Sequence, residues 1–418
     1  MLAHSPPLPL SIGHDDQNHI LTAKDEAGIL MVLQYRDRVR RIHLRIPVPG
    51  LQRIITAMDG AFPVLEYLYI MPQTRPNTRH GFTLPPMFQA PHLRYFVLQR
   101  FTSPVRSPLL TTAIGLVGLS LRWIDPSTYL HPDHLLQPLS LLSQLKSLEM
   151  GFCAPVLKYN IERRLLHTPI ITHATLPNLR WFSFWGVSAY LEALLPHMTA
   201  PLLKTFRLHF FNQLSFSLPR LPQFMTTTES LVFRSAKFLF NDEAVAVFVQ
   251  PHEGTDLINL SIDVSCRHLD WQVSSMAQIS NALSPLSSTV VDIDLEYREH
   301  IVSPAWHSQA DRMQWRQLLR SFSNVKTLRV HSGLVGELSR SLRLDGEPPL
   351  ELLPHLEELI CPVGSRDEGT FAQFILEREL SGKPVNLTET TFPVGRNSYD
   401  FDSCVGVIHV GPEPYPVS

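Results

Sequence analysis

A six-residue pattern, apolar-x-x-apolar-x-apolar, recurs along nearly the whole chain, and no other feature narrows the possible folds as much. In the first half it reads Val39/Ile42/Leu44, Leu65/Leu68/Ile70, Leu93/Phe96/Leu98, Leu116/Leu119/Leu121, Leu145/Leu148/Met150, Leu179/Phe182/Phe184 and Leu203/Phe206/Leu208. It continues with Leu257/Leu260/Ile262, Val290/Ile293/Leu295, Val325/Leu328/Val330 and Leu356/Leu359/Cys361, and with a weaker copy at Thr228/Leu231/Phe233. The twelve starts lie 23 to 35 residues apart, about 29 on average, at the long end of leucine-rich repeats (about 20 to 29). Five copies carry a proline two residues ahead of the first apolar position: Pro63, Pro91, Pro177, Pro201 and Pro354. At a strand entrance its missing N–H costs no ladder bond and its fixed φ stiffens the turn. This absorbs part of a proline content of 35 residues, about 8% against an average near 5%.

Between the strand patterns, Asp25 to Arg36, Leu51 to Met58, Asp133 to Leu142, Ala189 to Met198 and Arg312 to Phe322 space their apolar residues by three and four, the mark of one-sided helices. Thr22 followed by Asp25 reads as an N-cap with an acid three residues on. A single strand-turn-helix unit cannot bury its own apolar face, so neighbours must stack into one core. The expected fold is therefore α/β: a leucine-rich-repeat solenoid, or horseshoe, with a parallel inner sheet and outer helices. Twelve strands about 4.8 Å apart would make a sheet roughly 55 Å long, and twelve units exceed the count of a closed eightfold barrel. Residues 1–17 read as an N-terminal tail, 18–385 as the repeat domain and 386–418 as a C-terminal tail, with Phe371 to Leu380 a helix closing the last repeat.

Composition excludes several classes. With 44% apolar and 18% charged residues the chain has ample material for a core. A formal net charge of -2 lacks the basic footprint of phosphate-backbone binding, so no nucleic-acid partner is expected. The four cysteines form no C-x-x-C pair, which fits a reducing compartment better than a zinc or disulfide framework. The N-terminus shows no secretory pattern. The most apolar window, Leu109 to Leu121, is too short for the roughly 20 residues of a membrane span. A cytoplasmic or nuclear protein without a membrane partner is the expectation.

Catalytic and metal chemistry find no support. Phosphate-loop, dinucleotide, zincin and nucleophile-elbow motifs are all missing. His131, Asp133 and His134 form the densest ligand-like group, but they read as a loop opening a helix with Asp133 as its N-cap. His167 and His173 read as structural. Hence no catalytic residue, metal or cofactor is assigned, and an enzyme is not expected.

Side chains alternate across a strand, so the third, fifth and seventh positions of each copy face the concave surface. These are Arg41, His43 and Arg45, then Tyr67, Tyr69, Tyr95, Trp181, Trp185, Arg207 and His209, and farther on Asp263, Asp292, Asp294 and Glu296. Aromatic residues and arginine dominate interface hot spots. The expected protein-binding residues are Tyr67, Tyr69, Tyr95, Trp181, Trp185 and Arg207, with Asp292, Asp294 and Glu296 as an acidic strip favouring a basic partner segment.

Three stretches, Asp37 to Pro49, Phe62 to Leu68 and Phe88 to Arg94, resemble the repeat region of a large fungal F-box protein family. His268 to Ser275, Ser323 to Val330 and Leu350 to Leu359 are similar to it too, so the resemblance covers roughly residues 6 to 385. It implies a repeat domain that holds a protein for ubiquitination while a preceding F-box docks the Skp adaptor of a cullin ligase. The F-box signature, Leu-Pro-x-Glu followed by an apolar helix and Cys-x-x-Trp, is not found before Ser11. Two expectations therefore stand: a non-catalytic scaffold similar to the substrate-recognition half of such a receptor, or a stand-alone interaction module without Skp and cullin. The concave-face ligand is an unidentified protein in either case.

Overall fold

The turns that open the repeats explain their prolines. Leu65 N–H donates to the Phe62 carbonyl across Pro63, and Leu93, Leu179, Leu203 and Leu356 close the same turn across Pro91, Pro177, Pro201 and Pro354 at 3.0–3.3 Å. Proline thus occupies the second turn position, which its locked φ suits. The leucine closing each turn is buried and anchors the strand that follows.

The computed structural model describes residues 8–15, 21–73, 83–101, 108–124, 130–153, 169–211, 213, 215–228, 231, 233–251, 258–298, 312–342, 352–364 and 371–392. The strands are β1 (Leu10–Asp15), β2 (Val39–Pro47), β3 (Tyr67–Gln73), β4 (Tyr95–Gln99), β5 (Gly118–Ile124), β6 (Ser147–Phe152), β7 (Ala174–Thr175), β8 (Trp181–Gly186) and β9 (Met198–Thr199). They continue as β10 (Thr205–Phe210), β11 (Ser235–Phe240), β12 (Ala244–Gln250), β13 (Leu260–Ser265), β14 (Asp292–Tyr297), β15 (Thr327–Val330), β16 (Glu358–Pro362) and β17 (Asn386–Thr390). Fifteen form one mostly parallel sheet in the order β1-β2-β3-β4-β5-β6-β8-β10-β13-β12-β11-β14-β15-β16-β17, and β7 pairs with β9 separately. Strands β1 and β17 each have one neighbour in that order, so the sheet is open and not a closed barrel.

Eleven of the twelve copies of the pattern fall on strands of this sheet; one of their anchors, Leu257, lies outside the described residues. The copy at Thr228/Leu231/Phe233 makes no strand. Thr228 instead follows the helix Arg220–Thr226, its hydroxyl donating to the Phe224 carbonyl, and the strand comes later as β11. There Phe233, Ala236 and Phe238 supply the anchor and the two inward positions, so the copy sits five residues farther along than Thr228/Leu231/Phe233. Between β10 and β14 the simple succession breaks. Strand β12 runs antiparallel between β11 and β13, and β13, last of the three in sequence, pairs in parallel with β10.

The segments read as tails also contribute strands. Ile12 of β1 pairs beside Ile42, and Leu387 of β17 beside Leu359. An edge strand with one inward apolar side chain leaves too short a pattern to be noticed.

Helices follow the expected stretches closely: Ala23–Val32, Val48–Ala57, Pro132–Leu139, Ser188–Leu194, Arg312–Arg320 and Ala372–Leu380. Thr22 caps the first, its hydroxyl accepting from Asp25 N–H at 3.2 Å while the Asp25 carboxylate accepts from Thr22 N–H at 3.2 Å, a reciprocal capping box. The buried residues of these helices join the inward strand residues in one continuous core, from Ile12 to Val385. The opposite side of the sheet is called the far face below. Among the described residues no helix is long and apolar enough to cross a membrane.

Candidate functional site

Strand register carries the outward positions of successive repeats onto common rows. Tyr67 pairs beside Tyr95, which lies beside Gly118, then Ser147, then Trp181. Two strands carry no side-chain bulk where the rings need space. A Cβ on Gly118 would sit 3.0 Å from Cδ1 of Tyr95, and one on Gly151 would sit 3.2 Å from Cβ of Trp185. Glycine at these two positions of β5 and β6 thus leaves room for Tyr95 and for Trp185.

All nine expected binding residues lie on the far face, and none is fully exposed. Tyr67, Tyr69, Tyr95, Trp181, Trp185, Arg207, Asp292 and Asp294 are half-buried, and Glu296 is buried. His43 stacks on Tyr69 at 4.3 Å, Arg41 lies over the Tyr67 ring at 5.0 Å, and Tyr67 meets Tyr95 at 6.4 Å. His43 is anchored by Asp15 of β1 at 3.2 Å. Burial raises the pKa of both Tyr67 and Tyr69, so their hydroxyls stay protonated. Trp185 packs on His209 at 5.0 Å. Burial lowers the His209 pKa to about 4, so the imidazole is neutral near pH 7, and its Nε2 pairs with the Ser265 hydroxyl at 2.9 Å.

Between these aromatic groups lies a buried ion pair that the sequence reading did not single out. Glu149 is 3% exposed and meets Arg122 Nε at 2.6 Å and the Ser120 hydroxyl at 2.7 Å. Burial raises the Glu149 pKa, although Arg122 and Ser120 pull the other way. Ser120 and Glu149 stand at the fifth position of their repeats and Arg122 at the seventh, both outward, so the same counting could have found them.

The acidic strip is not available as a strip. Lys237 Nζ lies 3.2 Å from Asp294 and 2.5 Å from Glu296, Arg298 meets Glu296 at 2.5 Å, and His331 meets Asp294 at 3.0 Å. Burial pushes both acids up, but these partners hold Asp294 and Glu296 below the ordinary carboxylate range. Only Asp292 makes no ion pair with a described residue. The cause is topological: β11 is inserted beside β14 and sets Lys237 next to Asp294, which repeat counting along β14 could not reveal. Ligand atoms of Asp294, Glu296 and His331 lie within 4.8 Å of one another. The Lys237 ammonium already sits among them, so the group is an ion-pair cluster.

One expectation in the His131 region is corrected. His131, not Asp133, caps the helix Pro132–Leu139, its Nδ1 accepting from Asp133 N–H at 3.2 Å. Pro132 takes the first helical position, which moves Asp133 inside the helix. The Asp133 carboxylate accepts from the N–H groups of Ile171 and Thr172 at 3.0 and 2.8 Å and from Gln137 at 3.0 Å. These bonds lower its pKa against the opposing effect of burial. His173 pairs with Thr199 at 2.9 Å, and His167 lies outside the described residues.

Compared with known proteins, the chain matches no protein family and no curated protein.

Proposed function

We propose that the fifteen-stranded array is a leucine-rich-repeat solenoid whose far face binds another protein without catalysing a reaction. The observation that carries this reading is the row of half-buried aromatic residues, Tyr67, Tyr69, Tyr95, Trp181 and Trp185, placed by register on one face of a long open sheet. Rings held by stacking lose little further freedom on binding and offer large contact area, as interface anchors do. The partner's role follows the resemblance to the F-box family: a protein held for modification, or a partner held for another purpose.

The test is affinity purification of the full chain from its native lysate with quantitative identification of partners, beside a variant with all five aromatic residues changed to alanine. Loss of a partner from a variant with unchanged circular dichroism and melting supports the reading, and unchanged recovery overturns it. If the fivefold variant does not fold, Trp181→Ala takes its place. Recovery of the Skp adaptor and cullin would assign the chain to a ubiquitin ligase; a different aromatic-dependent partner would make it a stand-alone module.

A further inference from the structure

Among the buried or half-buried acids of the far face, most are paired, and Asp292, which makes no ion pair with a described residue, is only half-buried. Glu149 is neutralised by Arg122, and Asp294 and Glu296 by Lys237, Arg298 and His331. Asp263 is different. It is 5% exposed, its Oδ1 is buried without a hydrogen-bond partner, and it forms no ion pair with any described residue. A buried carboxyl left unsatisfied costs the fold stability and needs an explanation.

Its surroundings supply one. Register sets Asp263 between His209 on β10 and Ala246 on β12, where Ala246 offers only a methyl group. The His209 imidazole stands beside the carboxyl, with Trp185 packed against its other side. The imidazole is held neutral by burial and does not repel a cation. Arg207, half-buried on β10, feels both Asp263 and Glu149 and forms no ion pair with either.

We propose that Asp263, between His209 and Ala246, receives a lysine or arginine side chain of the protein that binds the far face. The inference rests on the binding role proposed above and names the partner's chemistry. A cation placed there gains a charge-assisted bond to a carboxylate that has no other partner among the described residues. The acidic contact for a basic partner thus falls on β13 rather than on the neutralised acids of β14.

Burial raises the Asp263 pKa to about 7, with Arg207 pulling it down. A bound cation favours the ionised form, so affinity rises with pH through about 7. The charged and titratable groups facing Asp263 are Arg207 and His209 of β10, with Glu149 and Lys237 farther away. Strand β12 presents Ala244, Ala246, Phe248 and Gln250, none of them charged.

A random-peptide display library selected on the full chain at pH 8 tests this. The expected result is enrichment of peptides sharing a lysine or arginine. Their affinity should drop roughly tenfold or more in Asp263→Asn. It should also weaken in the unaltered protein, but not in the variant, between pH 8 and pH 6. Selected peptides lacking a basic residue, or bound equally by Asp263→Asn, overturn the proposal. If those peptides are still lost on Trp181→Ala, the binding face survives and only its cation receptor fails. A library yielding no peptide sensitive to Trp181→Ala overturns both. Should Asp263→Asn not fold by circular dichroism, Asp263→Ala replaces it, with the same two outcomes deciding.

Discussion

From β2 to β10 the far face is built of stacked rings around one buried ion pair, whereas from β11 to β15 it is built of charges that neutralise one another. Both regions place residues by the same two-residue alternation, yet their strand order differs. In the first region strands succeed one another in sequence, apart from the small separate pair β7 and β9, and each outward residue meets its counterpart in the next repeat. In the second, β13, β12 and β11 enter in reverse order, and Lys237 arrives beside acids from a distant segment. A repeat pattern specifies which residues point outward. It does not specify which strands become neighbours.

The largest expected effect asks whether the two regions share one core. Phe182 lies in the regular part and Phe238 in the reversed part, each at most 1% exposed. Either changed to alanine should cost about 3–5 kcal/mol. Urea unfolding should show a single shifted transition for both, as their membership of one continuous core requires; two transitions, only one of them moved, would separate the regions.

Next comes Arg122→Met, which strands Glu149 in a buried site. A loss of about 3 kcal/mol is expected at pH 8, shrinking at pH 4 as the carboxyl takes a proton. A loss independent of pH would mean that the packing of the arginine stem, not its charge, matters in the ring-built region.

Asp263→Asn lies at the boundary of the two regions and should have the opposite sign. The folded pKa of about 7 exceeds the ordinary carboxylate value of 3.8, so the unaltered protein loses stability as pH climbs between those values. The variant is expected to be more stable by on the order of 2 kcal/mol at pH 8 and equally stable at pH 3. Thermal melts at the two pH values would show it, and equal melting at pH 8 would mean the carboxyl is already satisfied. His209 acts in the other direction. Its lowered folded pKa makes the fold lose stability as pH falls from 6.5 toward about 4.

The smallest effect belongs to the charged region. Lys237→Met removes an ammonium whose side chain is 26% exposed, and about 1 kcal/mol at low salt is expected. It should fade at 1 M salt, where screening is short-ranged; a salt-independent loss would point to packing.

These contrasts mark what the sequence carried. From β2 to β10 every strand but β7 and β9 was legible, because leucine and phenylalanine recur at fixed offsets from a turn. The tyrosines and tryptophans of the far face followed from parity alone. Strands β11 and β12 were missed for different reasons: Phe233/Ala236/Phe238 fits the pattern but overlaps the weaker Thr228/Leu231/Phe233 that was counted in its place, and β12 is buried on both faces, a run of apolar residues with no preferred side. The pairing of Lys237 with Asp294 and Glu296 was hidden because it depends on an order that no local pattern encodes. The isolation of Asp263 was hidden too, for parity shows where a carboxyl points but not what stands next to it.

The reversed trio also governs how the chain can come apart. Pulled from its C-terminal end, the sheet gives up β17, β16, β15 and β14 singly, each from an open edge and each against one ladder. The next segment along the chain is β13, and it sits between β10 and β12 with both its ladders engaged. It has no edge from which to peel. Unravelling that is stepwise as far as β14 must stop there until two ladders are sheared together, so the insertion works as a ratchet protecting the ring-lined half from events at the far terminus.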